Sequence, residues 1–301
     1  MPIPTTGRRG PAFALALLMA APQLLHAEPV QTAAGVTEVS SAARVAVMDV
    51  AAIDSLSALG VTLVGAPAKL YVDYLADVAA ETPDMGTLFE PDLEALAAAD
   101  PDLIIVGGRS VAQKDALAQV APVIDMSIGP DVLADTRARL AAYGALFGKA
   151  GRAAELDADL DARLARLAEA GKDKGSGLVV LTNGPKMSAY GKGSRFGWIF
   201  DAAGLTEAAP GLKVDTHGAA ISHEFIAEAN PDWLFVIDRG AAVGDSGASA
   251  QATLDTPLVA GTRAWTSGQV VYLDPTPLYI AGGGYTAMTR AIDQVTEALS
   301  R

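Results

Sequence analysis

Arg109 follows the apolar run LIIVGG, Arg239 follows WLFVID, and Arg195 lies in the glycine-rich stretch SAYGKGSRFG together with Tyr190 and Lys192. An apolar run that breaks into a polar loop is the pattern of a buried strand, and ligands of open α/β sheets gather at the carboxyl ends of such strands. Guanidiniums placed there would recognise an anion, since each presents a planar fork of donors and a permanent charge. The bland alternative is a set of solvated loop arginines. The glycine-rich stretch could add backbone N–H groups and the Lys192 charge. It fits neither the G-x-G-x-x-G spacing nor a P-loop, so a nucleotide is not the expected ligand.

Two more groups could carry chemistry. His217 sits in the polar loop DTHGAA, where a ring facing a cleft is expected, and Tyr279 precedes the glycine triplet of PLYIAGGG. A phenol at a cleft edge can stack, donate a hydrogen bond or, deprotonated, ligate a hard metal such as Fe(III). It can equally be a packed aromatic with a satisfied hydroxyl. His223, in ISHEFI, directly precedes a helix-like run and reads as a helix-start residue. With no cysteine in 301 residues and only His217 and His223 beyond residue 27, a zinc site of the usual nitrogen and sulfur type is not expected. The same absence argues against a disulfide framework and a thiol nucleophile. No G-x-S-x-G elbow is present, which argues against a hydrolase.

Positioning these groups calls for two similar α/β units. EALAAADPDLIIVGGR, Glu94 to Arg109, and EFIAEANPDWLFVIDR, Glu224 to Arg239, share a glutamate, a helix-like segment, Pro-Asp and an apolar run ending in arginine, all at an offset of 130 residues. Strands predicted in RVAVMDV, LIIV and PVIDM alternate with helix-like runs, as do LVVLTN, WLFVID and VVYLDP farther along. This alternation predicts parallel-type sheets with helical crossovers. Between the two units, GRAAELDADLDARLARLAEAG places Leu156, Leu160, Leu164 and Leu167 at helical spacing and carries no strand signal. The expected architecture is therefore two Rossmann-like α/β lobes, residues 28–148 and 173–301, joined by one long helix at 149–172. Such a helix resists bending.

Residues 1–27 read as a cleavable signal peptide: Arg8 and Arg9 lead the apolar stretch PAFALALLMAAPQLL, and Leu25-His26-Ala27 ends in a small residue. Without this leader 20 basic residues face 35 acidic ones. Nucleic acid and anionic membranes are poor partners for that surface, and any bound anion must be met by locally gathered arginines. The periplasm is the expected location. With no cysteine to carry a lipid, free diffusion as a monomer is expected.

Through SAYGKGSRFGWIFDAAGL, DTHGAAISHEFIAEANPDWLFVIDRG, GTLFEPDLEALAAADPDLIIVGGR and LYIAGGG, essentially the whole chain after the leader resembles the periplasmic binding proteins for ferric siderophores, in their catecholate branch. The resemblance implies a non-enzymatic receptor with no resident cofactor, whose ligand is a ferric siderophore delivered to the permease dimer of an ABC importer. By motif, Arg109, Arg195 and Arg239 would surround the anionic iron complex, with Tyr190 and Lys192 beside them. His217 and Tyr279 would complete the iron shell where the siderophore leaves coordination sites open. Glu94 and Glu224 would dock the two permease halves; on their own they are also the acidic first-turn residues that a helix dipole favours. A receptor for another iron chelate, haem or a corrinoid is the alternative within this class, and a metal-dependent or hydrolytic enzyme built on His217 the alternative outside it.

Overall fold

The computed structural model describes Met1 and residues 28–301, so nearly all of the expected leader lies outside the described residues. A hairpin of β1 (Glu28–Thr32) and β2 (Gly35–Val39), which carried no clear signal in the sequence, opens the fold. Val30 and Val39 bury its inner face in the first core. Ala33 N donates to Asp125 O at 2.8 Å, and Arg139 Nη1 donates to Gln31 O at 3.3 Å.

β3 (Val45–Met48), β4 (Leu103–Val106) and β5 (Val123–Asp125) form the first sheet, in that order and all parallel. Every residue of β3 and β4 is buried, which explains their unbroken apolar sequences: strands covered on both faces have no solvent side to alternate with. Parallel bridges between Ala46 and Gly65 and between Ala66 and Asp84 extend this sheet beyond β3.

The second sheet holds β6 (Ser176–Asn183), β7 (Lys186–Tyr190), β8 (Thr206–Glu207), β9 (Ala219–Ile221), β10 (Trp233–Asp238) and β11 (Val270–Tyr272). Its order is β11-β10-β6-β7-β9, with β8 also on β6. β10 runs parallel to β6 and β11, as expected, but β7 is antiparallel to both β6 and β9. The cause is local. Gly184 and Pro185 form a two-residue turn between Asn183 and Lys186, with Gly184 at φ +55°, and a turn this short can only reverse the chain. The loop carrying Arg195 therefore leaves the end of β7 and not that of β6.

A helix at Ala150–Ala170 lies within two residues of the expected connector. Its buried stripe spans both cores: Ala153 and Leu156 pack into the first, Leu160 and Leu167 into the second. A second crossing runs beside it, because Ile280, Ala281 and Ala287 pack into the first core whereas Leu278, Met288 and Val295 pack into the second. The terminal helix, Tyr285–Leu299, is held at this crossing by Asp54, a fully buried residue of the helix Val50–Ala58. The Asp54 carboxyl accepts from Thr286 N at 2.7 Å, Ala287 N at 2.9 Å and Tyr74 Oη at 2.6 Å. It thereby satisfies first-turn donors that have no partner inside their own helix. Gly284 is required at this approach, since a Cβ there would lie 2.7 Å from the Asp54 Cβ.

Candidate ligand-binding cleft

Between the lobes, a short helix, Pro275–Ile280, stops just before the glycine triplet Gly282–Gly284. Carbonyls at a helix end have no intrahelical partner. Here guanidiniums supply one. Arg109 donates through Nη2 to Tyr279 O at 2.7 Å and through Nη1 to Ile280 O at 3.0 Å, and Arg195 Nη2 reaches the same Tyr279 O at 3.1 Å. Arg239 meets the other end of Tyr279, donating from Nε to the phenol oxygen at 2.9 Å. The guanidinium carbons of Arg109, Arg195 and Arg239 lie 5.4, 5.0 and 5.7 Å from the Tyr279 ring centroid. These distances allow cation–π attraction. Arg195 also covers the Phe196 ring at 4.5 Å.

Three cations thus converge on one aromatic residue. Among the described residues none of the three forms an ion pair with a carboxylate. Burial, and then the charge of Arg109, pull the pKa of Arg195 below its ordinary value. Neutral carbonyl, amide and phenol oxygens are their hydrogen-bond acceptors, and an anion entering here would offset the positive charge.

The opening beside them is a cleft of about 700 Å³ lined by Asp49, Arg109, Arg195, Phe196, His217 and Tyr279 among others. Its size is in the range usual for small-molecule sites. Asp49 enters at the carboxyl end of β3, where its side chain caps the following helix by accepting from Ala52 N at 2.8 Å. Burial raises the Asp49 pKa, opposed by that hydrogen bond and by Arg109. A Cβ at Gly107 would lie 2.1 Å from Asp49 Oδ2, so glycine is needed where the Arg109 loop passes this carboxyl. His217 is exposed at the cleft mouth, on a loop whose turn is closed by its own N–H donating to Asp215 Oδ1 at 2.9 Å.

Other expected site residues sit elsewhere. Arg239 does not line the cavity and touches its wall through Tyr279. Lys192 turns outward to Asp201, with Nζ 2.6 Å from Oδ1. Tyr190 is buried and packs edge-on against Phe196 at 4.8 Å, a supporting position behind the cleft wall. His223 opens the helix His223–Ala229, its Nε2 lying 2.8 Å from Thr253 O. Glu94 and Glu224 are both exposed in the first turn of their helices, which are capped by Asp92 and Ser222. The Ser222 hydroxyl lowers the Glu224 pKa. Among the described residues, no group of three or more His, Asp or Glu is placed to hold a metal ion.

Sequence reasoning missed Asp49, Phe196 and Asn183. Asp49 was within reach of the strand-end rule, as the residue that ends RVAVMD. Phe196 stood in the same GSRFG motif as Arg195. Asn183, whose Oδ1 accepts from Arg239 Nη1 at 3.0 Å, carries no sequence signal of its own beyond its place at the end of β6.

The periplasmic binding protein family model matches residues 45–277, which include all three arginines and every strand of both sheets. The chain belongs to that family. It is 33% identical over 263 residues to the petrobactin-binding protein YclQ of Bacillus subtilis, covering 86% of this chain and 83% of the relative. The crystal structure of YclQ superposes with a TM-score of 0.84 at 32% identity, over 91% of this chain and 99% of that one. The ferric-anguibactin-binding protein FatB of Vibrio anguillarum is 31% identical over 267 residues, covering 84% of this chain and 81% of the relative. The structure of the periplasmic catecholate-siderophore binding protein VctP of Vibrio cholerae gives a TM-score of 0.82 at 28% identity, over 90% of this chain and 99% of that one. Members of the family are binding proteins. No helix among the described residues is long and apolar enough to cross a membrane.

Proposed function

We propose that this chain is the periplasmic receptor of an ABC importer and that it captures a ferric siderophore with catecholate donors between its lobes. The observation that carries the reading is the convergence of Arg109, Arg195 and Arg239 on Tyr279, with no carboxylate paired to any of them among the described residues, beside a cleft of about 700 Å³. A ferric tris-catecholate is a compact trianion with planar aromatic faces. It matches both the charge and the stacking capacity of guanidiniums, and each charge-assisted hydrogen bond in such a cleft contributes about 1.5–3 kcal/mol. The name of VctP, a catecholate-siderophore binding protein, supports the same ligand class, and that of FatB, a ferric-anguibactin-binding protein, supports a ferric complex.

The iron is cargo, and the receptor performs no turnover. His217 at the cleft mouth and the Tyr279 phenol are the protein groups that complete its coordination when a siderophore supplies fewer than six donors. Tryptophan quenching, with Trp198 two residues from Phe196, provides the test. Ferric tris- and bis-catecholates are expected to bind more tightly than ferric citrate, haem and cobalamin. Failure of any ferric catecholate to bind below the micromolar range would end the reading.

Delivery uses Glu94 and Glu224, one exposed carboxylate at a helix start in each lobe, as contacts for the two permease halves. Replacing both with alanine is expected to leave chelate affinity within about twofold, because exposed charges contribute little to a distant site. Uptake of radioactive iron by cells carrying the variant should fall severalfold. Unchanged uptake would leave only their role at the helix ends.

A further inference from the structure

Asn183, Arg239 and Tyr279 form a chain of side-chain hydrogen bonds that ends at the cleft. Asn183 is the last residue of β6 and is followed at once by the Gly184-Pro185 turn, which fixes its backbone. Its Oδ1 accepts from Arg239 Nη1 at 3.0 Å, and Arg239 Nε donates to the Tyr279 phenol oxygen at 2.9 Å. The Tyr279 ring packs against both hydrophobic cores. Among the described residues, both N–H groups on Arg239 Nη2 and the phenol proton have no hydrogen-bond partner. An arginine on a flexible stem that is bonded at two points is fixed in direction and fixes the phenol it holds, so less rotamer freedom is lost when a ligand meets that phenol.

We propose that Asn183 is a positioning residue for ligand capture: its side-chain carbonyl pins Arg239, and Arg239 pins the Tyr279 phenol, so that the hydroxyl on the cleft wall is presented to the ligand in a preset direction. Neither Asn183 nor Arg239 lines the cleft, so both act through Tyr279, which does. The proposal rests on the cleft being an anion site. It differs from the role of Tyr279 as an iron ligand, since it applies equally to a complex whose iron is fully coordinated.

The test is a set of double-mutant cycles read by tryptophan quenching with a hexadentate ferric tris-catecholate. Asn183→Ala is expected to weaken binding by about five- to tenfold, and Tyr279→Phe by about tenfold, as for loss of one hydrogen bond to a charged group. Against Arg239→Ala the Asn183→Ala effect should vanish to within about twofold, whereas against Arg109→Ala, with which Asn183 shares no hydrogen bond, it should multiply. A purely structural role would give the same loss in either background. An unchanged affinity in Asn183→Ala, or a loss that persists in full without Arg239, overturns the proposal.

A ligand-free arm separates this outcome from failure of the anion reading. In protein labelled with ¹⁵N-arginine, the Arg239 Nε–H should exchange slowly with water, and at least about tenfold faster in Asn183→Ala and in Tyr279→Phe. Exchange that is equal in all three proteins contradicts the positioning role whether or not the trianion binds.

Discussion

Arg109 and Arg239 occupy the same place in two sequence units 130 residues apart, yet the structure holds them in different ways. β4 ends at Val106, and Gly107-Gly108 carry the chain past Asp49 before Arg109, whose guanidinium crosses to main-chain carbonyls at the end of the helix Pro275–Ile280. β10 continues to Asp238, and Arg239 opens a new helix, bonding to the side chains of Asn183 and Tyr279 within its own lobe. The first arginine is thus tied to backbone and joins the lobes. The second is tied to side chains and can be retuned by substitution. A repeated sequence has kept the charge while exchanging the means of holding it.

Removing the backbone-held pair should have the largest effect. Arg109→Ala with Arg195→Ala is expected to reduce affinity for a ferric catecholate by about a hundredfold or more, two charge-assisted contacts being lost from a shielded cleft. Calorimetric titration measures this directly. A loss of less than tenfold would mean that the side-chain-held Arg239 dominates.

Gly107→Ala probes how the first arginine is presented. Its new Cβ must displace the buried Asp49, so a stability loss of about 1–3 kcal/mol is expected in urea denaturation, with weaker binding alongside it. The corresponding residue of the second unit is Ile237, a buried strand residue that already carries a side chain there. An Ala variant as stable as the parent would show that the Arg109 loop is looser than the structure indicates. Lys192→Ala should do least, within about twofold in affinity, because its ammonium is paired with Asp201 outside the cleft. A larger loss would bring Lys192 back into the site.

The sequence made the two lobes and their connector legible because both rest on long periodic signals: unbroken apolar runs in β3, β4, β6 and β10, and the leucine stripe of the connector. It did not disclose the antiparallel β7, whose residues KMSAY are too mixed to declare a strand without the turn before them. Nor did it disclose the return of residues 280–287 to the first core, which depends on the Asp54 carboxyl meeting the terminal helix. In the cleft, Arg109, Arg195, His217 and Tyr279 line one cavity, whereas Arg239 stands behind Tyr279. Lys192 and Tyr190 share a motif with Arg195 but not a direction, since one follows an exposed carboxylate and the other a hydrophobic core. Local sequence predicts which residues lie near a site better than it predicts which way each side chain turns.

On the proposed reading, Arg109, Arg195 and Arg239, none of them in an ion pair among the described residues, select a trianion. The most direct test of that selection is calorimetric titration of the wild-type protein with a ferric tris-catecholate and with a neutral ferric trihydroxamate of similar size, under identical conditions. Submicromolar binding of the trianion is expected, at least about a hundredfold tighter than the neutral complex and weakening as salt is raised. Equal affinity for the two, with no dependence on salt, would contradict it.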